Sequence, residues 1–338
     1  MSALTPLDRD TPSPRAAPGE QHLQTRNPAL ALLAAHGPEL SLAVLCVIFS
    51  LLTTTFLSFR NLLNVLDQLT VLGIMALGMT AVIVIGGIDL SVGSVLALSM
   101  MVMGWLSNVY GVPMPIAMCA ALAVGALCGL GSGLLVTRAN LPAFIATLAT
   151  MSIARGLANM VTDGSQIVGY PEWFSALSIN RHLGFLSVTV ALFIVLTVLA
   201  ALYMTYRANG RALYAIGGSA EVARLAGIPV QRITLVVYTV CGMLCGLAGI
   251  VMSTRLDSSS PSGALGYELD TIAAVVIGGA SLAGGVGTIW GTWMGVLTIG
   301  VLRNGLNLIG VSPFLQQIVI GVVIVLAVAV DANKRRVR

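Results

Sequence analysis

The chain has 338 residues, of which 57% are hydrophobic and only 9% are charged. A soluble domain carries about 25% charged residues, so this composition excludes an ordinary water-exposed globule. The net charge of +4 gathers in a few loops and at the C-terminus and forms no patch of the kind nucleic acid requires.

Residues 1–38 are polar and hold six of the thirteen prolines, Pro12, Pro14, Pro18 and Pro38 among them. They read as a disordered tail. They lack the basic start and immediate apolar core of a signal peptide. After them come about ten apolar stretches, near 40–59, 65–86, 92–110, 114–137, 141–161, 185–206, 232–253, 269–283, 286–304 and 313–330. Most approach the ~20 residues that a helix needs to cross hydrocarbon. They are apolar on all faces, where barrel strands would alternate. The fold class expected is an all-α polytopic membrane protein with short or broken helices. The transmembrane domain occupies 39–331, and 332–338 forms a basic tail. The eighth stretch is short and broken by glycines, which suggests a re-entrant or half-spanning element.

Arginine and lysine orient the chain. The end Lys334-Arg335-Arg336-Val337-Arg338 is strongly basic, and the 207–232 loop holds Arg207, Arg211, Arg224 and Arg232 against the single acid Glu221. Both are expected in the cytoplasm. An even number of spans then puts the N-terminus there as well, and the loops at 162–184 and 254–268 outside.

An internal echo links Val84-Ile85-Gly86-Gly87 with Val276-Ile277-Gly278-Gly279, and a weaker one links Leu141-Pro142-Ala143-Phe144 with Ser312-Pro313-Phe314-Leu315. Glycine-interrupted helices in corresponding positions point to a transport pathway, and the echo predicts an internal repeat. In the first, Gly86 and Gly87 end a helix by permitting positive φ, and Asp89 or Ser91 is placed to cap the next. Gly86, Gly87, Asp89, Ser91, Gly278 and Gly279 are therefore candidates for the pathway or its gate. Asn159 and Asn304 join them as hydrogen-bonding groups within apolar spans. Asp67, Arg155, Asp270 and Arg303 sit in or near spans, where a charge needs a partner.

Lys334 is the chain's one lysine, and no Gly-x-x-x-x-Gly-Lys exists. A P-loop needs that lysine at the phosphates, so this chain has no ATPase site of that kind. His22, His36 and His182 lie in polar or boundary segments. Cys241 and Cys245 share a helix face without a nearby histidine. No catalytic residue, metal or cofactor is expected, and the chain reads as a transporter subunit rather than an enzyme.

Between the sixth and seventh spans, Ser219 is suited to cap a helix, Glu221 favours its positive end, and Gly227 with Pro229 stops it. Such a short helix is unstable alone in water and needs a surface to pack on.

Together Gly86–Ser94, Pro142–Leu148 with Arg155-Gly156, Gly210–Pro229, and Glu268–Gly279 running on to Gly284-Gly285-Val286-Gly287 resemble the permease family of ribose-, xylose-, arabinose- and galactose-type ABC importers. The resemblance covers roughly residues 40–330 and departs at Gly131-Ser132-Gly133, where such permeases often read Asn-Gly. It implies a bacterial inner-membrane permease, with both termini cytoplasmic, that passes a monosaccharide. The partners implied are a cytoplasmic ABC ATPase subunit, a periplasmic sugar-binding protein and a second permease copy, identical or a sister chain. It also implies that the 210–229 segment docks on the ATPase, with Ser219, Glu221, Ala223, Arg224 and Gly227 as the docking candidates. The alternative from the residues is an ion-coupled secondary transporter of a small neutral solute, with Asp89 or Asp67 as the coupling carboxylate.

Overall fold

A computed structural model describes residues 37–182 and 184–336. The tail expected over 1–38 lies outside the described residues apart from its last two positions, which begin the first helix. Thirteen helices are present among the described residues: α1 (Gly37–Leu52), α2 (Phe59–Val84), α3 (Val92–Asn108), α4 (Met114–Thr137), α5 (Ala143–Met160), α6 (Glu172–Ile179), α7 (Val188–Tyr206), α8 (Ala208–Gly218), α9 (Ala220–Leu225), α10 (Val230–Leu256), α11 (Tyr267–Ile277), α12 (Ile289–Leu308) and α13 (Pro313–Arg336). Each of the ten predicted spans falls on one of the helices. Five of them, α2, α4, α5, α7 and α10, are long and apolar enough to cross a membrane. Helix α13 runs on through the stretch expected as a basic tail, to Arg336.

The central helix is α2, with 83% of its most apolar window buried, against 22% for α5 and α7 at the periphery. Ser58 starts it by accepting from the Asn61 amide at 3.3 Å. Against it lies the most extensive helix contact in the bundle, α4 on α10. A Cβ at Gly125 would sit 2.3 Å from the Gly242 carbonyl oxygen, and one at Gly129 2.1 Å from that of Tyr238. Ala121, Gly125 and Gly129 repeat every fourth residue and let the two backbones touch. In lipid, where no hydrophobic force drives helices together, such small-residue faces supply the packing.

The loops after α5 and α10 meet at one end of the bundle. Strands β1 (Ile167–Val168) and β2 (Ser258–Ser259) pair antiparallel there, and the Tyr170 and Ser259 hydroxyls share a 2.6 Å hydrogen bond. Helices α7 and α10 each run the length of the bundle away from that end, so α8 and α9 between them sit at the opposite one. The predicted loop at 254–268 is only partly a surface loop. Beyond β2 the chain folds back along α3: a Cβ on Gly263 would meet Met100 Cε, and the Ala264 carbonyl lies against Gly93. Helix α11 therefore begins inside the bundle. Its 11 residues span about 16 Å at 1.5 Å per residue, roughly half a membrane.

The two echoed glycine pairs stop their helices in the same way. Gly86 has φ 81° and Gly279 φ 91°. The Gly87 amide reaches back to Val82 O (2.8 Å), and that of Ala280 to Val275 O (3.2 Å). Each closes a Schellman turn. The sequence echo equates Gly87 with Gly279, whereas the left-handed residues are Gly86 and Gly279, so the geometric equivalence is shifted by one.

Candidate functional site

Helix α9 carries the predicted docking segment. Ser219 caps it, accepting from the Val222 amide at 3.3 Å. Gly227, at φ 83°, ends it, its amide bonded to Arg224 O. Glu221 and Arg224 form a 2.7 Å ion pair with both side chains open to solvent. A pair this exposed adds little to stability, so both charges are available to a partner. Ala223 is the buried foot of the helix, 3% exposed. Sequence reasoning missed Val222 and Leu225, which are 64% and 78% exposed on the same helix. Their spacing was legible: two apolar residues three apart, interleaved with Glu221 and Arg224, share one face of the helix.

Helix α8 ties this segment to the bundle. The Tyr214 hydroxyl donates to Gly287 O at 2.9 Å, and burial pushes that phenol above its usual range, which keeps it a donor. Gly217 lies against the end of α2 and the α11–α12 loop at once. A Cβ there would stand 1.9 Å from Val84 O and 2.3 Å from Gly285 N. Those two atoms are themselves hydrogen-bonded at 2.8 Å.

The remaining predicted residues separate into groups. Asp89 and Ser91 are buried, at 1% and 2% exposure. Asp89 Oδ1 accepts from the Ser91 amide (2.9 Å) and hydroxyl (2.6 Å). The expected cap is thus a closed Asp89–Ser91 turn; neither side chain takes a further amide of α3. Glu268 instead approaches that helix start, with Oε2 2.6 Å from where a Gly93 Cβ would lie. A carboxylate there faces the positive end of the helix dipole. Gly87 is held under the Tyr238 hydroxyl and Gly278 against the Gly291 carbonyl, while Gly86 and Gly279 are exposed. Asn304 is buried and paired with Asn61. Asn159 is exposed on α5 and donates to Arg155 O at 2.8 Å.

The charges in the spans have partners. Arg181 pairs with Asp67, and Arg303 with Asp270. Arg155 donates to Pro261 O (2.5 Å) and Gly263 O (3.1 Å), fastening the folded-back segment to α5. Among the described residues no cluster of His, Cys, Asp or Glu has the geometry to hold a metal ion.

Five helices long and apolar enough to cross a membrane, packed around the buried α2, define a polytopic helical membrane protein. Residues 61–328 match the family described as branched-chain amino acid transport system / permease component, and the chain belongs to that family. It is 46% identical over 303 residues to the ribose import permease protein of Escherichia coli (strain K12), covering 88% of this chain and 93% of that one. It is 36% identical over 290 residues to the fructose import permease protein of Rhizobium meliloti, covering 83% and 80%. It is 33% identical over 363 residues to the xylose transport system permease protein of Haemophilus influenzae, covering 88% and 96%. No solved structure matches.

Proposed function

We infer that the chain is the membrane-spanning permease of an ATP-driven ABC importer and passes a pentose or hexose delivered by a periplasmic binding protein. The observation that carries this, beside family membership, is α9: a capped helix presenting Val222, Leu225, Glu221 and Arg224 at one end of a membrane bundle. An apolar pair ringed by charge suits the groove of a water-soluble partner, here the ATPase that supplies the missing P-loop. That end is cytoplasmic, as are both termini; the β1–β2 end faces the binding protein.

The pathway runs along α5. Ser152, Gly156 and Asn159 are exposed along one face of this helix, beside Arg155 and the exposed Ser262 of the folded-back segment. Irregular backbone and polar groups at membrane depth are tolerated only against protein or water. A second copy, identical or a sister permease, covers this face, and the sugar passes between the two. Of the residues predicted for the pathway, Asn159 lies on this face. Asp89, Ser91 and Asn304 lie within the packing of one chain.

The test is reconstitution with the cognate ATPase and binding protein in sealed vesicles, offering ribose, fructose and xylose in turn. ATP-dependent uptake that survives collapse of the ion gradients is the expected result. Uphill uptake by the chain alone on an ion gradient would overturn the reading.

A further inference from the structure

Three glycine pairs converge where α8 meets the bundle: Gly86-Gly87 after α2, Gly217-Gly218 at the end of α8, and Gly284-Gly285 in the α11–α12 loop. The contacts are backbone to backbone. A Cβ on Gly284 would lie 2.9 Å from both Gly217 O and Gly86 N, and one on Gly285 3.2 Å from Gly218 N. Val84 O is one of the carbonyls that the end of α2 leaves without a helical partner; it takes its hydrogen bond from Gly285 N. Gly217 is laid directly over that bond. Two turns upstream of the docking helix, Tyr214 grips Gly287 on the same loop.

We propose that Gly217 is the positioning residue that transmits movement of the ATPase-docking helix to the end of α2 and to the α11–α12 loop. The proposal rests on the importer reading given above. Ser219 separates α8 from α9 by a single extended residue, φ −164°, so the docking helix follows α8 with no intervening loop. At α8 no side chain lies between Gly217 and the Val84–Gly285 bond, and packed backbone has no rotamer with which to absorb a displacement. Both breaks carry an exposed left-handed glycine, Gly86 and Gly279, where φ turns with little steric cost. The push is thus delivered to the end of α2, just before Gly86, and to the loop that follows Gly279, which the Val84–Gly285 bond joins.

The neighbouring glycine supplies an internal control. A Cβ on Gly218 meets nothing within 4 Å, whereas one on Gly217 falls onto the backbone bond itself. The experiment is the ratio of sugar imported to ATP hydrolysed, measured in vesicles holding the complete transporter with binding protein. Gly217→Ala is expected to lower that ratio at least about tenfold, the scale of overpacking against unyielding backbone. Stimulated ATP hydrolysis stays within about twofold of the parent, because the Ser219 cap and the α9 face are untouched. Gly218→Ala leaves both quantities at the parent level. Tyr214→Phe removes one hydrogen bond without adding an atom to the contact, and lowers the ratio about fivefold. If Gly217→Ala fails to assemble, Tyr214→Phe decides alone, and an unchanged ratio there overturns the proposal. An unchanged ratio in Gly217→Ala overturns it equally. Failure of the parent protein to import on ATP sinks the importer reading itself, and the Gly217 assignment with it.

Discussion

Asn61 and Asn304 exchange two hydrogen bonds of 2.9 Å, each amide donating to the other's carbonyl oxygen, and so clasp α2 to α12 inside the bundle. Asn61 Nδ2 also reaches Phe56 O at 2.8 Å. Replacing either asparagine with alanine strands the other's buried amide, a cost of about 1–3 kcal/mol. Replacing both removes donor and acceptor together, so Asn61→Ala/Asn304→Ala is expected to be less destabilised than the sum of the singles. Thermal unfolding in detergent reads this directly. A loss of uptake at unaltered stability would make Asn304 a substrate contact instead.

The exposed face of α9 predicts separable defects. Val222→Asp and Leu225→Asp place charge on the apolar pair and are expected to abolish co-purification of the ATPase, while the permease alone keeps its melting temperature. Glu221→Ala weakens the association less, because an exposed charge contributes about 1 kcal/mol or under.

The Asp67–Arg181 pair joins α2 to the segment before α7, with Ser187 Oγ donating to the same carboxylate at 3.2 Å. Arg181→Ala leaves Asp67 half-satisfied in a mostly buried position and is expected to cost about 1–3 kcal/mol. Asp67→Asn/Arg181→Ala removes the stranded charge and recovers part of that loss in the same unfolding assay. Were Asp67 the coupling carboxylate of an ion-driven carrier, Asp67→Asn would instead abolish uptake while stability held.

Along α5, a cysteine at Gly156, introduced into a chain whose five native cysteines are replaced by alanine, is expected to react with a membrane-impermeant thiol reagent. Cysteine at Leu199, on the outer surface of α7, is not. Added sugar together with its binding protein slows the Gly156→Cys reaction. Equal labelling at both positions would remove α5 from the pathway.

Tight α4–α10 packing sets a stability limit. Gly125→Val drives a branched side chain into the Gly242 carbonyl, where even a Cβ would stand at 2.3 Å. A cost of about 3 kcal/mol or more is expected, read as loss of folded protein in the membrane fraction.

Much of this architecture was legible in the sequence because apolar runs, glycine stops and Ser219 act locally. What escaped depends on distant partners. Ser258-Ser259-Ser260-Pro261-Ser262-Gly263 has the composition of a surface turn, yet Ser259 and Pro261 are buried and Arg155, on another helix, holds the Pro261 and Gly263 carbonyls. Asn304 resembled a sugar ligand because the sequence does not reveal Asn61 opposite it. Gly217 looked like any glycine at a helix end, since its constraint comes from Val84 and Gly285. Asp89 stands at the helix break that Gly86-Gly87 predicts, but it is buried and spends Oδ1 on Ser91.

The Val84–Gly285 bond also bears on how the protein is made. The last turn of α2 leaves the ribosome early and stays open until a donor about two hundred residues downstream arrives. The amino-terminal half therefore enters the bilayer with one end unsealed, and only the late arrival of the α11–α12 hairpin closes it. A nascent chain halted before that hairpin would offer an incomplete helix end to quality-control proteases. The end of α2 is thus sealed only when the chain has grown as far as the loop before α12.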